Sequence, residues 1–279
     1  MPFYLNVPFA LVRAVIYFGL WNLFAWLLNR WSRRQDTAKD MRVQHWCETV
    51  SAPGLVLYVL TITFASIDWA MSLEPEWYST IYGAMFGMGQ VLSGFAFAIA
   101  VLMFLSRRPE VDALLSGNNL RDLGSLLLAF VMVWAYLSFS QFLLIWSGNL
   151  PEEVPWYIYR LKGGWQYLGL MLVLFHFALP FVLLLSTDVK RNRNTLAGVA
   201  LLVLAMRVID LVWLIVPAFH HHKEAVDPPV LSRLLYLAAV VGLSGLWLAY
   251  YLHQLRSWPL AAAFKPHAEG QAHGAVAQH

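Results

Sequence analysis

Long apolar stretches recur along this chain, and short segments between them carry most of its charged residues. Each stretch is about 20 residues long, the length that an α-helix needs to cross the hydrocarbon core of a bilayer. The pattern predicts seven transmembrane helices, near residues 7–29, 52–73, 79–105, 122–147, 164–186, 195–217 and 231–254. We therefore expect an all-α integral membrane protein with one transmembrane helical domain over residues 1–258. The polar residues 259–279 are expected to form a disordered tail.

The basic residues of the connecting segments orient the predicted helices. Segments 30–51, 106–121 and 187–194, together with the C-terminal tail, contain 13 of the 19 Lys and Arg residues. The opposite side has four, which are Arg160, Lys162, Lys223 and, at the start of the seventh span, Arg233. The positive-inside rule places the N-terminus outside and the C-terminus in the cytoplasm. We therefore expect a multi-pass membrane protein.

The composition excludes several classes of protein. Hydrophobic residues make up 59% of the 279 residues and charged residues only 13%, whereas a soluble domain carries roughly 25% charged residues. A soluble enzyme, a secreted disulfide scaffold and a nucleic-acid-binding domain are all excluded on this ground. The partner expected from composition is the lipid bilayer, and no nucleic acid is expected.

The chain offers few ligands for a redox centre. Its single cysteine, Cys47, cannot hold an iron–sulfur cluster, which needs about four thiolates. Apart from His253 in the last turn of the seventh predicted span, the predicted spans contain one histidine, His176, and no lysine, which argues against a haem held between two histidines and against a retinal Schiff base. We expect no metal site and no cofactor bound by this chain alone.

Ionisable residues inside the spans are the candidates for function, because a charge in the bilayer is costly. Most of them lie in the outer half of their helices, and they are Arg13, Asp68, His176, Arg207 and Asp210. Each has a structural alternative. Arg207 and Asp210 have the i, i+3 spacing of a pair that fixes helix packing, Arg13 could extend to the outer headgroups, and His176 could be a packed, hydrogen-bonded core residue.

Asp68 is the hardest of these residues to explain structurally. Its own helix offers it no basic neighbour, so it must find a partner on another span, face water or stay protonated. A carboxyl group beside a water-filled cavity can serve in a proton relay. We therefore name Asp68, His176, Arg207 and Asp210 as proton-pathway candidates.

Other features of the sequence are interpreted as structural. Gly83 and Gly87 form a GxxxG motif that lets helices pack closely, and Gly89 and Gly94 follow in the same span. Residues 151–163 are expected to lie along the outer surface, with Trp156 and Trp77 as interfacial anchors. Residues His220–His222 are expected to form a solvated outer loop just past Pro217.

Two of the predicted spans share a short pattern. Ile67-Asp68 is followed by Pro75, and Ile209-Asp210 is followed by Pro217 at the same offset of seven residues from the aspartate. Both helices are predicted to run from inside to outside, four spans apart. Tandem four-helix units would produce this relation.

The segment Phe64–Phe86, FASIDWAMSLEPEWYSTIYGAMF, resembles the NrfD-like membrane subunits of alternative complex III, a bacterial quinol:electron-acceptor oxidoreductase. It is most similar to the second of that complex's two such subunits. The opening segment YLNVPFALVRAVIYFGLWNLFAWLLNRWSRRQD is similar to a stretch just before that motif. The resemblance extends to about residue 255.

The resemblance implies a fold and site residues. The family has ten spans built as two four-helix bundles with flanking helices, so about three spans at the start of the family have no counterpart here. Asp68 matches the acidic position of the family motif, and Glu74, Trp77, Tyr78 and Tyr82 follow in the same motif. Glu74 joins the proton-pathway candidates, and Arg13, Trp77, Tyr78 and Tyr82 are candidates for contact with quinone or with a partner.

The resemblance also implies partners and a function. The partners would be a second NrfD-like subunit, an iron–sulfur protein and cytochrome c subunits, which would hold the iron–sulfur clusters and haem c, and quinone is a further candidate ligand. This chain would be a membrane subunit without a redox centre that anchors these partners and conducts protons. The alternatives are a purely structural scaffold subunit and, last, a free-standing transporter.

Overall fold

The computed structural model describes Tyr4, Leu115 and residues 6–38, 41–106, 108–112, 117–221 and 230–257. The regular elements of this described part are all helical, which confirms the all-α prediction. The tail predicted over 259–279 lies outside the described residues.

Eleven α-helices follow one another along the described chain. They are α1 (Val7–Ala38), α2 (Met41–Trp69), α3 (Tyr82–Leu105), α4 (Pro109–Asp112), α5 (Gly117–Gly148), α6 (Val154–Arg160), α7 (Trp165–Met171), α8 (Leu179–Leu185), α9 (Thr187–Arg191), α10 (Arg193–His221) and α11 (Val230–Ser257). A 3₁₀ turn, Met71–Leu73, follows α2, and a π-helical segment, Leu172–Ala178, joins α7 to α8.

Six helical segments are long and apolar enough to span a membrane, and they coincide with the first six predicted spans. They lie at Val7–Gln35, His45–Leu73, Tyr82–Leu105, Gly117–Gly148, Trp165–Leu185 and Arg193–Phe219. The seventh predicted span is helical as well, because α11 covers it. The chain is thus a helical, multi-pass membrane protein.

Some helices extend beyond the predicted spans. Residues 30–51, expected to be a loop, belong largely to the end of α1 and the start of α2. Hydropathy marks the part of a helix inside the bilayer, whereas Arg and Gln are good helix formers that prolong it into the polar phase. For the same reason His220 and His221 lie in α10 and not in a loop, and Pro217 lies inside that helix.

The described chain divides into two compact units after Asp68. In the first unit, α1 and α2 form an antiparallel hairpin, because residues further along α1 contact residues that lie earlier in α2. Arg13 bonds Asp68, the Trp21 indole donates to Thr61 at 2.9 Å, and the Trp31 ring faces Trp46. An ion pair, a hydrogen bond and an aromatic contact therefore set the register of this hairpin.

The second unit is built around a four-helix bundle. Its members are α3, α5, α10 and the span that α7, the π-helical segment and α8 form together, and each packs against its two neighbours around the ring. Leu92, Leu127 and Val203 are among the side chains that fill the interior without exposure to the surface. The four-helix arrangement expected for the chain is confirmed for these helices.

The short helix α6 lies across one end of this bundle. Gly163 and Gly164 follow it with φ values of +62° and +97°, a backbone conformation that glycine adopts without strain. This turn directs the chain from α6 into α7. Trp156 and Arg160 of α6 are buried, at 4% and 1% exposure, whereas Ile158, Tyr159 and Leu161 are 39–50% exposed. The segment predicted to lie along the outer surface therefore has an exposed side and a side that packs inward, which hydropathy alone does not show.

We predict that Leu127→Ala lowers the thermal unfolding midpoint of the detergent-purified chain. Leu127 is fully buried in the bundle, and its truncation removes packing contacts at a cost of about 2–4 kcal/mol. The matched control is Leu126→Ala on the same helix, because Leu126 is 44% exposed. Equal midpoints for the two variants would contradict the interior position of Leu127.

Candidate functional site

The first unit holds a buried ion pair between its two helices. The Arg13 guanidinium of α1 meets the Asp68 carboxylate of α2 in two hydrogen bonds, Nε–Oδ2 at 2.7 Å and Nη2–Oδ1 at 2.9 Å. The side chains are 9% and 4% exposed. Asp68 has therefore found its partner on another span, which was the first of the three alternatives open to it. Arg13 does not extend alone toward the headgroups.

Three aromatic side chains surround this pair. The Tyr17 hydroxyl donates to Asp68 Oδ2 at 2.9 Å, and the Tyr4 and Phe9 rings lie 3.9 Å and 4.5 Å from the Arg13 guanidinium carbon. Burial and the nearby Asp68 carboxylate raise the pKa of Tyr4. The Asp68 carboxylate thus accepts bonds from a guanidinium and a phenol, which compensate the cost of burying it.

A second ion pair closes one end of the bundle in the other unit. Arg160 Nη2 lies 3.2 Å from Glu74 Oε1 and donates to the Leu214 carbonyl at 2.8 Å, while Nη1 donates to the Trp156 carbonyl. Its guanidinium carbon also lies 3.6 Å from the centre of the Trp156 ring. Burial lowers the pKa of Arg160, and the Glu74 carboxylate opposes that shift. Arg160 therefore ties α6 to α10 and to the segment that follows α2.

An aromatic cluster packs around Arg160. The Trp77 and Trp156 rings stack with centroids 4.7 Å apart, and the edge of Trp156 meets Trp213 at 5.8 Å. Trp77 and Tyr82 are 6% and 2% exposed. The expected interfacial anchors Trp77 and Trp156 are therefore interior residues, because each ring packs against another. Of the three aromatic residues carried over from the family motif, Tyr78 is exposed, at 63%.

A third ion pair, Arg207–Asp210, lies within α10 in the bundle interior. The i, i+3 spacing therefore does place the two side chains together, as one reading of the sequence predicted. The Arg207 guanidinium occupies the space beside Gly89 of α3, where any added Cβ would collide with it. Gly89 thus makes room for a buried cation, a role that its place in a glycine-rich span did not reveal.

His176 lies in the π-helical segment and is fully buried. Its ring meets the edge of the Trp134 ring of α5, with centroids 4.2 Å apart. Neither ring nitrogen of His176 has a hydrogen-bond partner in the described part of the chain. The sequence predicted a packed, hydrogen-bonded core histidine. The burial of His176 is confirmed, but the described residues provide no hydrogen bond to its ring.

The π-helical segment has an identifiable cause. The Leu179 N–H donates to the Leu174 carbonyl, five residues back, and Pro180 follows with no N–H to continue the ladder. Such π-helical turns are rare and are often found at functional sites. Here the turn carries His176 on its buried side, and Val173 and Phe177 line a groove beside it.

That groove has a volume of about 880 Å³ and lies among α5, α6, α10 and the π-helical span. Aromatic rings form much of its wall, and three indole or hydroxyl groups on it have no partner among the described residues: Trp134 Nε1, Trp213 Nε1 and Ser138 Oγ. Asp210 also lines the groove. Burial raises the pKa of Tyr157, another wall residue, so its phenol is neutral.

The structure brings the sequence-predicted residues into separate groups. Arg13 and Asp68 meet in the first unit, Glu74 meets Arg160, and Arg207 meets Asp210. His176 is bonded to none of them in the described part of the chain. Sequence reasoning missed Gly89, Trp134, Arg160 and Trp213. Gly and Trp are common in membrane helices, and Arg160 lies between two spans, where a basic residue carries no special signal.

Metal binding has no support in the described residues, where no three His, Cys, Asp or Glu side chains come together. Comparison of the sequence with protein-family models and with curated proteins finds no match.

We predict that Arg160→Met destabilises the protein by about 2–4 kcal/mol, because Glu74 and the Leu214 carbonyl lose their buried partner. The comparison is Lys162→Met, two residues along on the exposed turn, with an expected effect within about 0.5 kcal/mol. Chemical unfolding in detergent measures both. A small, equal effect would refute the bridging role of Arg160.

We predict opposite signs for two alanine substitutions in α3. Gly89→Ala displaces the Arg207 guanidinium and costs about 1–3 kcal/mol, whereas Gly94→Ala meets open space and gains helix propensity. Thermal unfolding midpoints of the purified variants give the comparison. A stabilised Gly89→Ala variant would show that Arg207 does not occupy this place.

Proposed function

We propose that this chain is a membrane subunit of a respiratory quinol-oxidising complex of the alternative complex III type. It lies in the bacterial inner membrane with its N-terminus outside and its C-terminus in the cytoplasm. It holds no redox centre of its own. It anchors the peripheral redox subunits and carries protons through buried carboxylates near its outer surface.

The buried Arg13–Asp68 pair is the observation that carries this proposal. Asp68 stands at the acidic position of the stretch that resembles the NrfD-like subunits, and it is nearly completely buried with its charge compensated. Burying such a pair gains little stability over an apolar contact of the same size. A chain that keeps it in a membrane hairpin has a use for the carboxylate.

The surfaces of the helices fit a subunit of a larger assembly. Val7, Val15 and Leu55 on the hairpin are 64–73% exposed, and comparable apolar residues line the outer faces of the bundle. In a membrane such faces contact lipid or other spans. The partners proposed are a second NrfD-like subunit, an iron–sulfur protein and cytochrome c subunits, which supply the iron–sulfur clusters and haem c.

A proton role for Asp68 follows from its bonding. The carboxylate accepts hydrogen bonds from Arg13 and from the Tyr17 hydroxyl, so the exchangeable proton of Tyr17 lies directly against it. Protons released by quinol oxidation in the partner subunits would reach the outer surface through such a group. His176, Arg207, Asp210 and Glu74 are the further candidates, each at a separate place in the second unit.

A purely structural scaffold is the second candidate. The observation that favours it is that the three buried arginines of the described chain, Arg13, Arg160 and Arg207, each meet an acidic side chain. Internally neutralised pairs are what helix packing alone would require. This reading predicts that the pairs matter for assembly and not for proton release.

Purification of the native chain in mild detergent tests the complex. We expect co-purification of an iron–sulfur protein, a second NrfD-like chain and a c-type haem signal in the reduced-minus-oxidised spectrum. A colourless protein that runs alone would contradict membership of a redox complex.

Two variants separate the proton role from the scaffold role. In the purified complex, Asp68→Asn is expected to lower quinol turnover about a hundredfold or more, the range for loss of a proton-transferring group, while the complex still assembles. The double variant Arg13→Gln/Asp68→Asn removes both charges and is expected to assemble with the same low turnover. Glu76→Gln, at an exposed carboxylate close along the chain, serves as control and should be silent. Normal turnover in assembled Asp68→Asn would establish the scaffold reading.

A further inference from the structure

The short helix α9 lies at the end of the four-helix bundle where α5 begins. It follows α8, at which one membrane span ends, and it precedes α10, which starts the next span. It also packs against α5. Because α9 lies between the ends of two spans, its five residues are at the level where the helices leave the hydrocarbon core and reach the lipid headgroups.

Lys190 of α9 is held against α5 by a glycine. The aliphatic part of the Lys190 side chain occupies the space beside Gly124, where an added Cβ would lie 2.6 Å from its Cγ and 3.0 Å from its Cδ. The amine at the end of the side chain donates to the Ser125 hydroxyl at 3.2 Å. Two neighbouring residues of α5 therefore fix the position of this cation.

The charge of Lys190 has no acidic partner in the part of the chain that the structure describes. None of the ion pairs there includes Lys190, whereas the nearby Arg193 is paired with Asp112 at 2.6 Å. The adjacent acidic residues Asp122 and Asp188 are exposed and belong to none of these pairs. An ammonium group has three donors, and Ser125 accepts one, so two remain for a ligand.

A second cation lies on the same face of α5. Arg121 precedes Ser125 by four residues, which is about one helical turn, and its side chain is exposed. A group bound beside Ser125 is therefore within reach of the Arg121 guanidinium. We refer to Lys190, Ser125 and Arg121 as the Lys190 site.

Apolar side chains continue from the Lys190 site along the spans. Leu126 on α5 is 44% exposed, and Val182 and Leu185 on α8 are 62% and 57% exposed. In a membrane these side chains face hydrocarbon. A ligand at the site therefore meets cations at the level of the headgroups and apolar surface beside them, a combination that fits a lipid better than a soluble anion.

We propose that the Lys190 site binds the phosphate of an anionic phospholipid, such as phosphatidylglycerol, from the leaflet at this end of the bundle. Phosphate oxygens accept from the Lys190 amine and the Arg121 guanidinium, and the acyl chains lie along α5 and α8. Basic sites between helices at the cytoplasmic side are a recurring mode of anionic lipid recognition, and this leaflet is the cytoplasmic one in the proposed orientation. The inference goes beyond the proposed function and does not rest on it, because it needs only a protein that spans a membrane.

Native mass spectrometry of the full chain tests the selectivity for an anionic lipid. The protein is purified in detergent, stripped of lipid and titrated with phosphatidylglycerol or with phosphatidylethanolamine of the same acyl chains. We expect phosphatidylglycerol to bind about tenfold more tightly. Equal affinities would overturn the proposal, because they would mean that the apolar faces take up lipid without recognising its charge.

A charge-matched pair of variants tests Lys190 itself. Lys190→Met keeps the length of the side chain and removes its charge, whereas Lys162→Met removes one positive charge from the exposed turn at the opposite end of the bundle. The affinity for phosphatidylglycerol should fall about fivefold in Lys190→Met and stay unchanged in Lys162→Met. Lys190→Arg restores the charge and should restore the binding. An equal effect of the two methionine variants would show that total charge, and not this site, attracts the lipid.

Gly124→Ala is an independent test that keeps every charge. The added methyl group displaces the Lys190 side chain from α5, and we expect the affinity for phosphatidylglycerol to fall about as far as in Lys190→Met. Gly117→Ala, earlier in the same helix, is the control because its Cβ meets open space. Thermal unfolding midpoints show that each variant is folded. A folded Gly124→Ala variant that binds the lipid like the unchanged protein would contradict recognition by a fixed Lys190.

Competition with soluble anions identifies the source of the phosphate. Inorganic phosphate and glycerol 3-phosphate, each at the concentration of the lipid, are expected to leave phosphatidylglycerol bound, because they gain nothing from the apolar side chains beside the site. Displacement of the lipid by either anion at equal concentration would reveal a site for a soluble phosphate and overturn the assignment to a phospholipid.

Discussion

The need to neutralise buried charge governs this structure. An ion placed in an apolar interior loses hydration worth several kcal/mol, and the protein meets that cost by pairing. Arg13, Arg160 and Arg207 are all at least nine-tenths buried, and each meets a carboxylate. The three pairs connect different elements. Arg13–Asp68 joins the two helices of the hairpin, Arg160–Glu74 holds the short helix α6 across one end of the bundle, and Arg207–Asp210 lies within α10.

The surroundings of each pair follow from the shape of the guanidinium. Arg13 lies beside the Tyr4 and Phe9 rings, and Arg160 lies against Trp156, because a flat, weakly hydrated cation stacks well on an aromatic face. Within the described residues, Arg207 stacks on no ring and uses the space beside Gly89 instead. Aromatic rings beside Arg13 and Arg160, and the missing side chain of Gly89 beside Arg207, therefore each accommodate a planar cation among tightly packed helices.

The π-helical segment links the bundle interior to the groove. It inserts an irregular turn into an otherwise regular span, and Pro180 just beyond it prevents the usual hydrogen-bond ladder from resuming at once. The result presents His176 to Trp134 on one side and Val173 to the groove on the other. Unused donors gather at this place, where the helix is least regular. The Asp68 carboxylate, by contrast, has hydrogen bonds to both of its oxygens.

Periodicity and charge placement in the sequence were enough to predict the helices and the membrane. Bilayer thickness sets the length of an apolar span, so the first six predicted spans recur as long helices and α11 covers the seventh. The i, i+3 spacing also sufficed for Arg207–Asp210, because one helix turn brings such side chains together. Local signals of this kind need no knowledge of the fold.

Only the tertiary structure decided which side chains meet across helices. Asp68 pairs with a residue 55 positions earlier and Glu74 with one 86 positions later, and no pattern in the sequence encodes such partners. The inward packing of Trp156 was missed for the same reason, since it depends on a stack with Trp77 that forms only when the bundle closes. The groove, too, exists only between packed helices. Hydropathy reports how each residue partitions between water and lipid, whereas pairing, stacking and cavities depend on contacts between distant parts of the chain.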